Sequence, residues 1–136
     1  TSTNAVIEMG NKISILNGSN NITIPNVSNP KILGTDKNNK VFFCNDNNGK
    51  TDIIYYADIT EENYKWSRLK LKTEEKISDI YIDYSGKVYI NYPSENKIKD
   101  VKDNKEYEYE GEFLQTYSEG IVTKDKNKVI KKILGK

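Results

Sequence analysis

Apolar and polar residues alternate on both sides of a short turn in the stretch ISDIYIDYSGKVYINYP, residues 77 to 93. Alternation with a period of two predicts β-strands, and a Gly that ends a three-residue loop predicts a hairpin. A loop over residues 84 to 86 pairs Ile80 with Ile90, Tyr81 with Tyr89, Ile82 with Val88 and Asp83 with Lys87. This register collects the aliphatic residues on one face and places a tyrosine pair and an ion pair on the other.

The same turn pattern recurs along the chain as a Gly or Asn, then Lys, then a β-branched residue. It is found as NKISI from residue 11, NKVFF from 39, GKVYI from 86, NKIKD from 96 and NKVIK from 127. In the closest pair, GTDKNNKVFF and YIDYSGKVYI, Asp36 corresponds to Asp83 and Lys40 to Lys87. Turns at this spacing, with short alternating runs between them, predict an antiparallel all-β meander of about fourteen short strands.

One stretch, ITEENYKWSRLKLKTEEK at residues 59 to 76, also has the features of a helix start, because a Thr precedes two Glu residues. Its second half alternates strictly, with Tyr64 and Trp66 on one face and Leu69 and Leu71 on the other. We therefore predict a loop followed by a strand. The tail KVIKKILGK is compatible with either a last strand or a short amphipathic helix.

The strands group into four units, 1–29, 30–72, 73–110 and 111–136, within a single domain over residues 1–136. Units of roughly 30 to 47 residues with about four strands each are typical of β-propeller blades. In a propeller each sheet is covered by neighbours on both faces, so its central strands are apolar on both parities, as VFF and VYI are. The predicted fold is an all-β meander of propeller-blade-like repeats, a partial propeller.

The pattern from Ile77 through Asp83 and Gly86 to Ile90 resembles the NHL and two-component-regulator types of β-propeller repeat, whose strand-turn-strand carries an Asp and a Gly at this spacing. The resemblance is closest over residues 77 to 92 and extends less closely to residues 33 to 45. Complete propellers have about four to eight blades, and the pattern recurs here about three times. Three arrangements follow: part of a larger propeller, association of copies, or closure of the strands into a β-sandwich or irregular barrel.

The charge balance disfavours two kinds of partner. The chain has 21 basic and 20 acidic residues, so no net field attracts nucleic acid or an anionic membrane. Arg68 alone among the basic residues could form the bidentate contacts that read bases. No apolar run approaches the ~20 residues of a membrane span. We predict a protein or glycan partner, no nucleic acid, and no membrane insertion within this segment.

Several chemistries lack their residues. The chain has no His and a single Cys, which excludes Ser-His and Cys-His nucleophile pairs and His or Cys zinc sites. Cys44 ends the run VFFC and is predicted to be a small buried residue. The loop NDNNGKTD offers oxygen donors from Asp46, Asn48 and Asp52 but fails the calcium-loop spacing. The acids alternate with Lys and give no spacing for a glycosidase pair. We predict no catalytic residues, no metal site and no cofactor.

Aromatic residues, with 10 Tyr and one Trp, are the most suggestive feature for binding. Tyr64 and Trp66 share a predicted strand face, and Tyr55 and Tyr56 lie on the preceding strand. Such rings are suited to sugar or peptide platforms, although packing between sheets also explains them. The candidate binding residues are Tyr55, Tyr56, Tyr64 and Trp66.

The abundance of Asn, Lys, Ile and Tyr, which are residues of AT-rich codons, is typical of low-GC Gram-positive bacteria. An Asn-rich, nearly Cys-free surface of low net charge is common among their exported proteins, which predicts an extracellular or cell-surface location. The chain begins without Met and without signal-peptide features, as a processed chain or an excised segment would. The leading hypothesis is a non-catalytic exported binding, interaction or sensing domain of a surface protein. The alternatives are an accessory or partial domain of a carbohydrate-active enzyme, and an architectural cell-surface module.

Overall fold

The computed structural model describes residues 6–9, 12–15, 21–22, 24–25, 27–116, 120–124, 127 and 130–133. This part of the chain forms fourteen β-strands, two short 3-10 helices and no α-helix. The strands are β1 (Val6–Met9), β2 (Lys12–Ile15), β3 (Asn21–Ile22), β4 (Pro30–Thr35), β5 (Lys40–Asn45), β6 (Lys50–Asp58), β7 (Ser67–Lys76), β8 (Ile80–Ile82), β9 (Val88–Tyr92), β10 (Lys97–Asp100), β11 (Lys105–Glu108), β12 (Glu112–Thr116), β13 (Ile121–Lys124) and β14 (Ile130–Ile133).

The described strands form four antiparallel sheets. The first sheet contains β1 to β3, the second β4 to β7, the third β8 to β11 and the fourth β12 to β14. Within each sheet, strands adjacent in sequence are adjacent in space, so each sheet is a meander. The predicted all-β antiparallel meander is therefore confirmed. The second sheet continues to Lys76, four residues beyond the predicted unit boundary at residue 72.

The hairpin of β8 and β9 has the register predicted from its pattern. Its Cα partners are Ile80 with Ile90, Tyr81 with Tyr89, and Ile82 with Val88. The Asp83 N–H donates to the Lys87 carbonyl at 3.0 Å, and the Gly86 N–H donates to the Asp83 carbonyl at 3.0 Å. Gly86 has φ +91°, the left-handed conformation that the three-residue loop requires.

The turn between β4 and β5 has the same geometry, as its sequence match predicted. The Asp36 N–H donates to the Lys40 carbonyl at 3.1 Å, and Asn39 takes the left-handed position with φ +63°. Asp36 Oδ1 accepts the N–H groups of Asn38 and Lys40, each at 2.9 Å. In both hairpins the first Asp of the turn accepts, with its side-chain Oδ1, the backbone N–H groups two and four residues later.

Left-handed residues end the turns of the second and third sheets, and each is followed by a Lys. Positive φ angles occur at Asn39, Gly49, Gly86, Asn96 and Asn104. The following Lys begins or directly precedes β5, β6, β9, β10 and β11, respectively. The turn signature is therefore a strand-start signal, because the left-handed residue reverses the chain immediately before an extended run. Its first copy begins at residue 11, outside the described residues.

The third sheet is buried on both faces. One core lies between the second and third sheets and contains Phe42, Ile54, Leu71, Ile80, Val88 and Ile90. The other lies between the third and fourth sheets and contains Tyr89, Ile98, Tyr109 and Ile121. Neighbouring residues of β9 therefore belong to opposite cores. Residues 41 to 44 and 88 to 91 are all buried, which confirms that the central strands are covered on both parities.

Asp83 is the most highly connected polar side chain of this core and is only 1% exposed. Its Oδ1 accepts the Ser85 N–H at 3.0 Å, the Ser85 hydroxyl at 2.7 Å and the Lys87 N–H at 2.9 Å. Its Oδ2 accepts the Tyr89 hydroxyl and the Gly120 N–H, both at 2.9 Å. The predicted ion pair of Asp83 with the Lys87 ammonium is wrong. A buried carboxylate needs fixed donors, and here backbone and hydroxyl groups supply them while the Lys87 side chain stays exposed.

Successive sheets are also joined along their first strands. β4 contacts β1, β8 contacts β4, and β12 contacts β8. The Lys37 N–H donates to the Tyr84 carbonyl at 2.9 Å, linking the two Asp turns. The Thr116 hydroxyl donates to the Ile82 carbonyl at 3.1 Å, and this bond joins β12 to β8. The first strands therefore follow one another in chain order.

Three local predictions have clear outcomes. The segment over residues 59 to 76 is a loop followed by strand β7, as predicted, with Leu71 buried and Leu69 packed against the same core. In the tail, the described residues Ile130–Ile133 form a strand, β14. Cys44 is fully buried, as its position in an apolar run indicated.

Candidate functional site

The two tyrosines of β6 point to opposite faces of the second sheet. The Tyr55 ring stacks on Phe43 with a centroid distance of 5.1 Å, and the Tyr56 ring stacks on Phe42 at 5.4 Å. Phe42 belongs to the core between the second and third sheets, so Tyr56 packs against that core. Adjacent strand residues alternate in direction, and this separates Tyr56 from the other candidate residues.

Tyr64 and Trp66 lie together, but not on a strand. The ladder between β6 and β7 ends at the pair of Tyr56 and Ser67, and both aromatic residues precede it in a segment without regular secondary structure. The Trp66 ring meets Phe43 edge-to-face at 4.8 Å, and it meets Tyr64 edge-to-face at 5.9 Å. The predicted shared strand face is therefore wrong. The two rings pack onto Phe43, and the chain at this point follows those ring contacts and not the ladder.

Three of the four predicted binding residues thus meet around Phe43, and we call Phe43, Tyr55, Tyr64 and Trp66 the Phe43 cluster. The surrounding apolar residues are Ile24, Val27, Ile32 and Ile59. Phe43 itself is fully buried, whereas the three other rings are half-buried. The sequence reasoning missed Phe43 as the centre of the site. The signal was its parity, because it points away from Phe42 and hence away from the neighbouring third sheet.

A cleft of about 400 Å³ opens beside this cluster, and we call it the aromatic cleft. Its lining residues are Ile24, Pro25, Glu62, Asn63, Tyr64 and Trp66. Glu62 and Asn63 are exposed and belong to the turn that precedes the two aromatic residues. The cleft therefore combines partly exposed rings with one carboxylate and one amide, which suits a ligand with both apolar and hydrogen-bonding surface.

A second cleft, of about 430 Å³, borders Tyr55, and we call it the polar cleft. Its lining residues are Val27, Ser28, Asn45, Asn47, Thr51, Asp52, Ile53, Tyr55 and Glu74. Asn45 is held in place, because its Oδ1 accepts the Asn29 N–H at 2.9 Å. The Asp52 carboxylate lies 3.7 Å from the Lys70 ammonium. Hydroxyl, amide and carboxylate groups outnumber the apolar groups on this surface.

Tyr55 lines the polar cleft, and both faces of its ring are covered. One face of its ring is stacked on Phe43, at an angle of 19° between the ring planes. The Arg68 guanidinium lies 6.0 Å from the ring centre, and since Phe43 occupies one face it lies over the other. Tyr55 therefore contributes shape and a hydrogen-bonding group, while Tyr64 and Trp66 contribute the larger aromatic surface.

Of the predicted oxygen donors, Asp46 and Asn48 lie in the turn between β5 and β6, and Asp52 lies within β6. Asp46 Oδ1 accepts the Gly49 N–H at 2.7 Å, and Asn48 has φ +53°. Within the part of the chain that the structure describes, no group of three or more His, Cys, Asp or Glu side chains is placed to hold a metal ion. Over the same residues, no helix has the length and apolar character to cross a membrane.

Comparisons of the chain with protein-family models, with curated proteins and with solved structures found no match. The function is therefore argued from the residues of the chain itself.

Proposed function

We propose that this chain is a non-catalytic binding domain, built from successive β-propeller blades, that binds a protein or glycan partner at the Phe43 cluster. One observation carries the proposal. Tyr64 and Trp66 are both half-buried, and both line a cleft of about 400 Å³. Large rings that keep contact area open in a concave surface are typical of binding sites.

The propeller part of the proposal is supported by the order of the sheets. Each of the two complete sheets, β4 to β7 and β8 to β11, is a four-stranded meander, as a blade is. The first strands of successive sheets contact each other in chain order, as the innermost strands of blades do around a propeller axis. Four separate sheets favour this arrangement over a sandwich of two sheets or a closed barrel.

A second candidate is an accessory or partial domain of a carbohydrate-active enzyme. One observation favours it: Asp52 and Glu74 both line the polar cleft. However, the Asp52 side chain is solvent-accessible and 3.7 Å from Lys70, so it is a surface ion pair and not a desolvated acid of the kind that protonates a glycosidic oxygen. A hydrolysis assay on neutral oligosaccharides tests the partial-enzyme form of this candidate, because cleavage would require catalytic carboxylates within the chain, whereas a binding or accessory domain leaves the substrates uncleaved.

The proposed location is supported by the composition of the chain. The abundance of Asn, Lys, Ile and Tyr and the single, buried cysteine support an exported protein of a low-GC Gram-positive bacterium, in a cell-surface setting. If no ligand binds at the Phe43 cluster, the architectural module is the better interpretation. Detection of the chain on intact cells with an antibody, against a cytoplasmic marker, tests the location.

The single tryptophan makes a direct binding test possible, because Trp66 lines the aromatic cleft and its fluorescence is unique in the chain. We would titrate the protein with two separate pools, neutral oligosaccharides and Trp-free short peptides, and follow the Trp66 emission. The expected result is a saturable change with at least one pool. The absence of any change with both pools would refute the proposed function.

A matched pair of variants localises the binding. Tyr64→Ala removes a ring from the cleft and should weaken binding by about tenfold, since the loss of one aromatic contact costs ~1 to 1.5 kcal/mol. Tyr84→Ala is the control, because Tyr84 is the large hydrophobic side chain most exposed among the described residues, at 57%, and lies on the tip of another turn. Equal effects of the two substitutions would place the binding site elsewhere. A urea unfolding curve of each variant verifies that it is folded.

A further inference from the structure

We propose that the aromatic cleft and the polar cleft are two subsites of one binding site, and that its ligand is a neutral oligosaccharide. This inference rests on the proposed function and names its ligand class. The two clefts are neighbours on the same face of the second sheet. Trp66 lines one and Tyr55 the other, and both rings contact Phe43, so their centres are at most about 10 Å apart. A short oligosaccharide spans this distance.

One segment borders both clefts. Ile24 and Pro25 line the aromatic cleft, and Val27 and Ser28, which lie two and three residues after Pro25, line the polar cleft. Ile24 and Val27 both pack against Phe43. The segment and the Phe43 cluster therefore form a common wall, and a linear ligand that lies along this wall contacts both volumes.

The polar groups of the two clefts match the hydroxyl groups of a sugar. A sugar hydroxyl donates one hydrogen bond and accepts others, so it is best met by groups that do both or by carboxylates that accept twice. The described lining supplies amides at Asn47 and Asn63 and carboxylates at Glu62 and Glu74. Their side chains are exposed, so a ligand can reach them. Half-buried rings beside such groups accept the apolar face of a sugar ring.

The charge of the lining selects a neutral ligand. Among the described residues, Glu62, Asp52 and Glu74 line the clefts and no Lys or Arg does, which disfavours phosphates, sulfates and uronic acids. The Lys70 ammonium, 3.7 Å from the Asp52 carboxylate, and the Arg68 guanidinium, 6.0 Å from the centre of the Tyr55 ring, offset two of these charges and reduce the attraction of a cation. The polar cleft offers only Val27 and Ile53 as aliphatic wall, which gives an apolar peptide side chain little surface.

The experiment compares hexasaccharides of three charge states on the intact chain. The probes are a cellulose hexamer and an N-acetylglucosamine hexamer, which are neutral, a deacetylated glucosamine hexamer, which is cationic, and a galacturonic acid hexamer, which is anionic. Binding is measured by Trp66 fluorescence and by calorimetry. We expect at least one neutral hexamer to bind more tightly than both charged hexamers. Tighter binding of either charged probe overturns the inference.

Two variants test whether the clefts act together. Asn63→Ala alters the aromatic cleft and Glu74→Ala the polar cleft, and each should weaken the neutral hexamer by about 3- to 10-fold, as the loss of one hydrogen bond does. The matched controls are Asn38→Ala and Glu110→Ala, at exposed positions outside both clefts, and they should leave binding unchanged. If only one cleft variant weakens binding, the two clefts are not subsites of one site.

The result also separates this inference from the proposed function. If the peptide pool changes the Trp66 emission and no oligosaccharide does, the glycan inference fails while the binding domain stands. If neither class of probe changes it, both fail. If a neutral hexamer binds and is sensitive to both cleft variants, both stand.

Discussion

Replacing the Asp83 carboxylate tests how far a single side chain connects the third and fourth sheets. Asp83 lies within the β8–β9 turn, and its Oδ2 also reaches Gly120, which lies 37 residues further along the chain. Asp83→Ala therefore removes the turn bonds and the link between sheets together. Asp36→Ala is the matched control, since Asp36 makes the same two backbone bonds within its own turn.

The expected cost can be worked out from the donors that lose their acceptor. The Tyr89 hydroxyl and the Gly120 N–H are both buried and would have no partner, at ~1 to 3 kcal/mol each. The donors of the turn itself are closer to solvent and add about 1 kcal/mol. We expect Asp83→Ala to lower the free energy of unfolding by about 3 to 7 kcal/mol and Asp36→Ala by about 1 to 2 kcal/mol. The free energy of unfolding of a typical domain is ~5 to 15 kcal/mol, so the loss expected for Asp83→Ala is severe.

Equilibrium urea unfolding followed by circular dichroism measures both losses. A double-mutant cycle with Tyr89→Phe adds a second test, because Tyr89→Phe removes one of the two buried donors that Asp83→Ala leaves without an acceptor. The double variant Asp83→Ala with Tyr89→Phe should therefore lose ~1 to 2 kcal/mol less than the sum of the single losses. Losses for Asp83→Ala and Asp36→Ala that agree within ~0.5 kcal/mol, or strict additivity in the cycle, would refute the reasoning.

Two further predictions concern a close contact and the alkaline limit of stability. A Cβ at Gly86 would lie 2.6 Å from Asp36 Oδ2, whereas a Cβ at Gly49, which also has a positive φ, would meet no atom within 4 Å. Gly86→Ala should therefore lower the free energy of unfolding in urea by about 2 to 5 kcal/mol, and the control Gly49→Ala by about 1 to 2 kcal/mol. Equal losses would mean that the contact with Asp36 is unimportant. Burial and the hydrogen bond to Glu75 raise the pKa of Tyr92 from 10.0 to about 12, so the folded chain holds this proton more tightly than the unfolded chain, and the associated stability is complete below pH 10 and lost as the pH approaches 12. The fall in the urea midpoint between these pH values should be smaller in Tyr92→Phe, and an identical fall in both proteins would contradict the assignment.

Much of the local structure was readable from the sequence. The register of Ile80 with Ile90 follows from the alternation of apolar residues and the position of Gly86, because a shift by one residue would mix the two faces. The equivalence of Asp36 and Asp83 also follows, since both are the first residue of a turn with a left-handed residue three positions later. These features depend on contacts over a few residues, where backbone sterics permit few solutions.

The candidate site was only partly readable. Aromatic content and position pointed to Tyr55, Tyr64 and Trp66, but the sequence placed the last two on a strand and kept Tyr56 with them. Successive side chains of β6 point to opposite faces of the sheet, so Tyr56 packs in a different core from Tyr55. Tyr64 and Trp66 precede the β6–β7 ladder, and Trp66 packs against Phe43. The period-two pattern shows which residues of a strand share a face. It does not specify which of the two faces packs against a neighbouring sheet and which lines a cleft.

The sequence by itself determined the all-β class, the main turns, the antiparallel arrangement and the register of the β8–β9 hairpin, because these depend on the left-handed tolerance of Gly and Asn and on short-range alternation. The tertiary structure alone decided that Asp83 reaches Gly120 instead of the Lys87 ammonium, and that two clefts flank one ring, Phe43. The physical reason is that these partners are far apart in the sequence and are brought together only by the packing of whole sheets. That packing depends on the shapes of all their faces at once, and no local pattern along the chain encodes it.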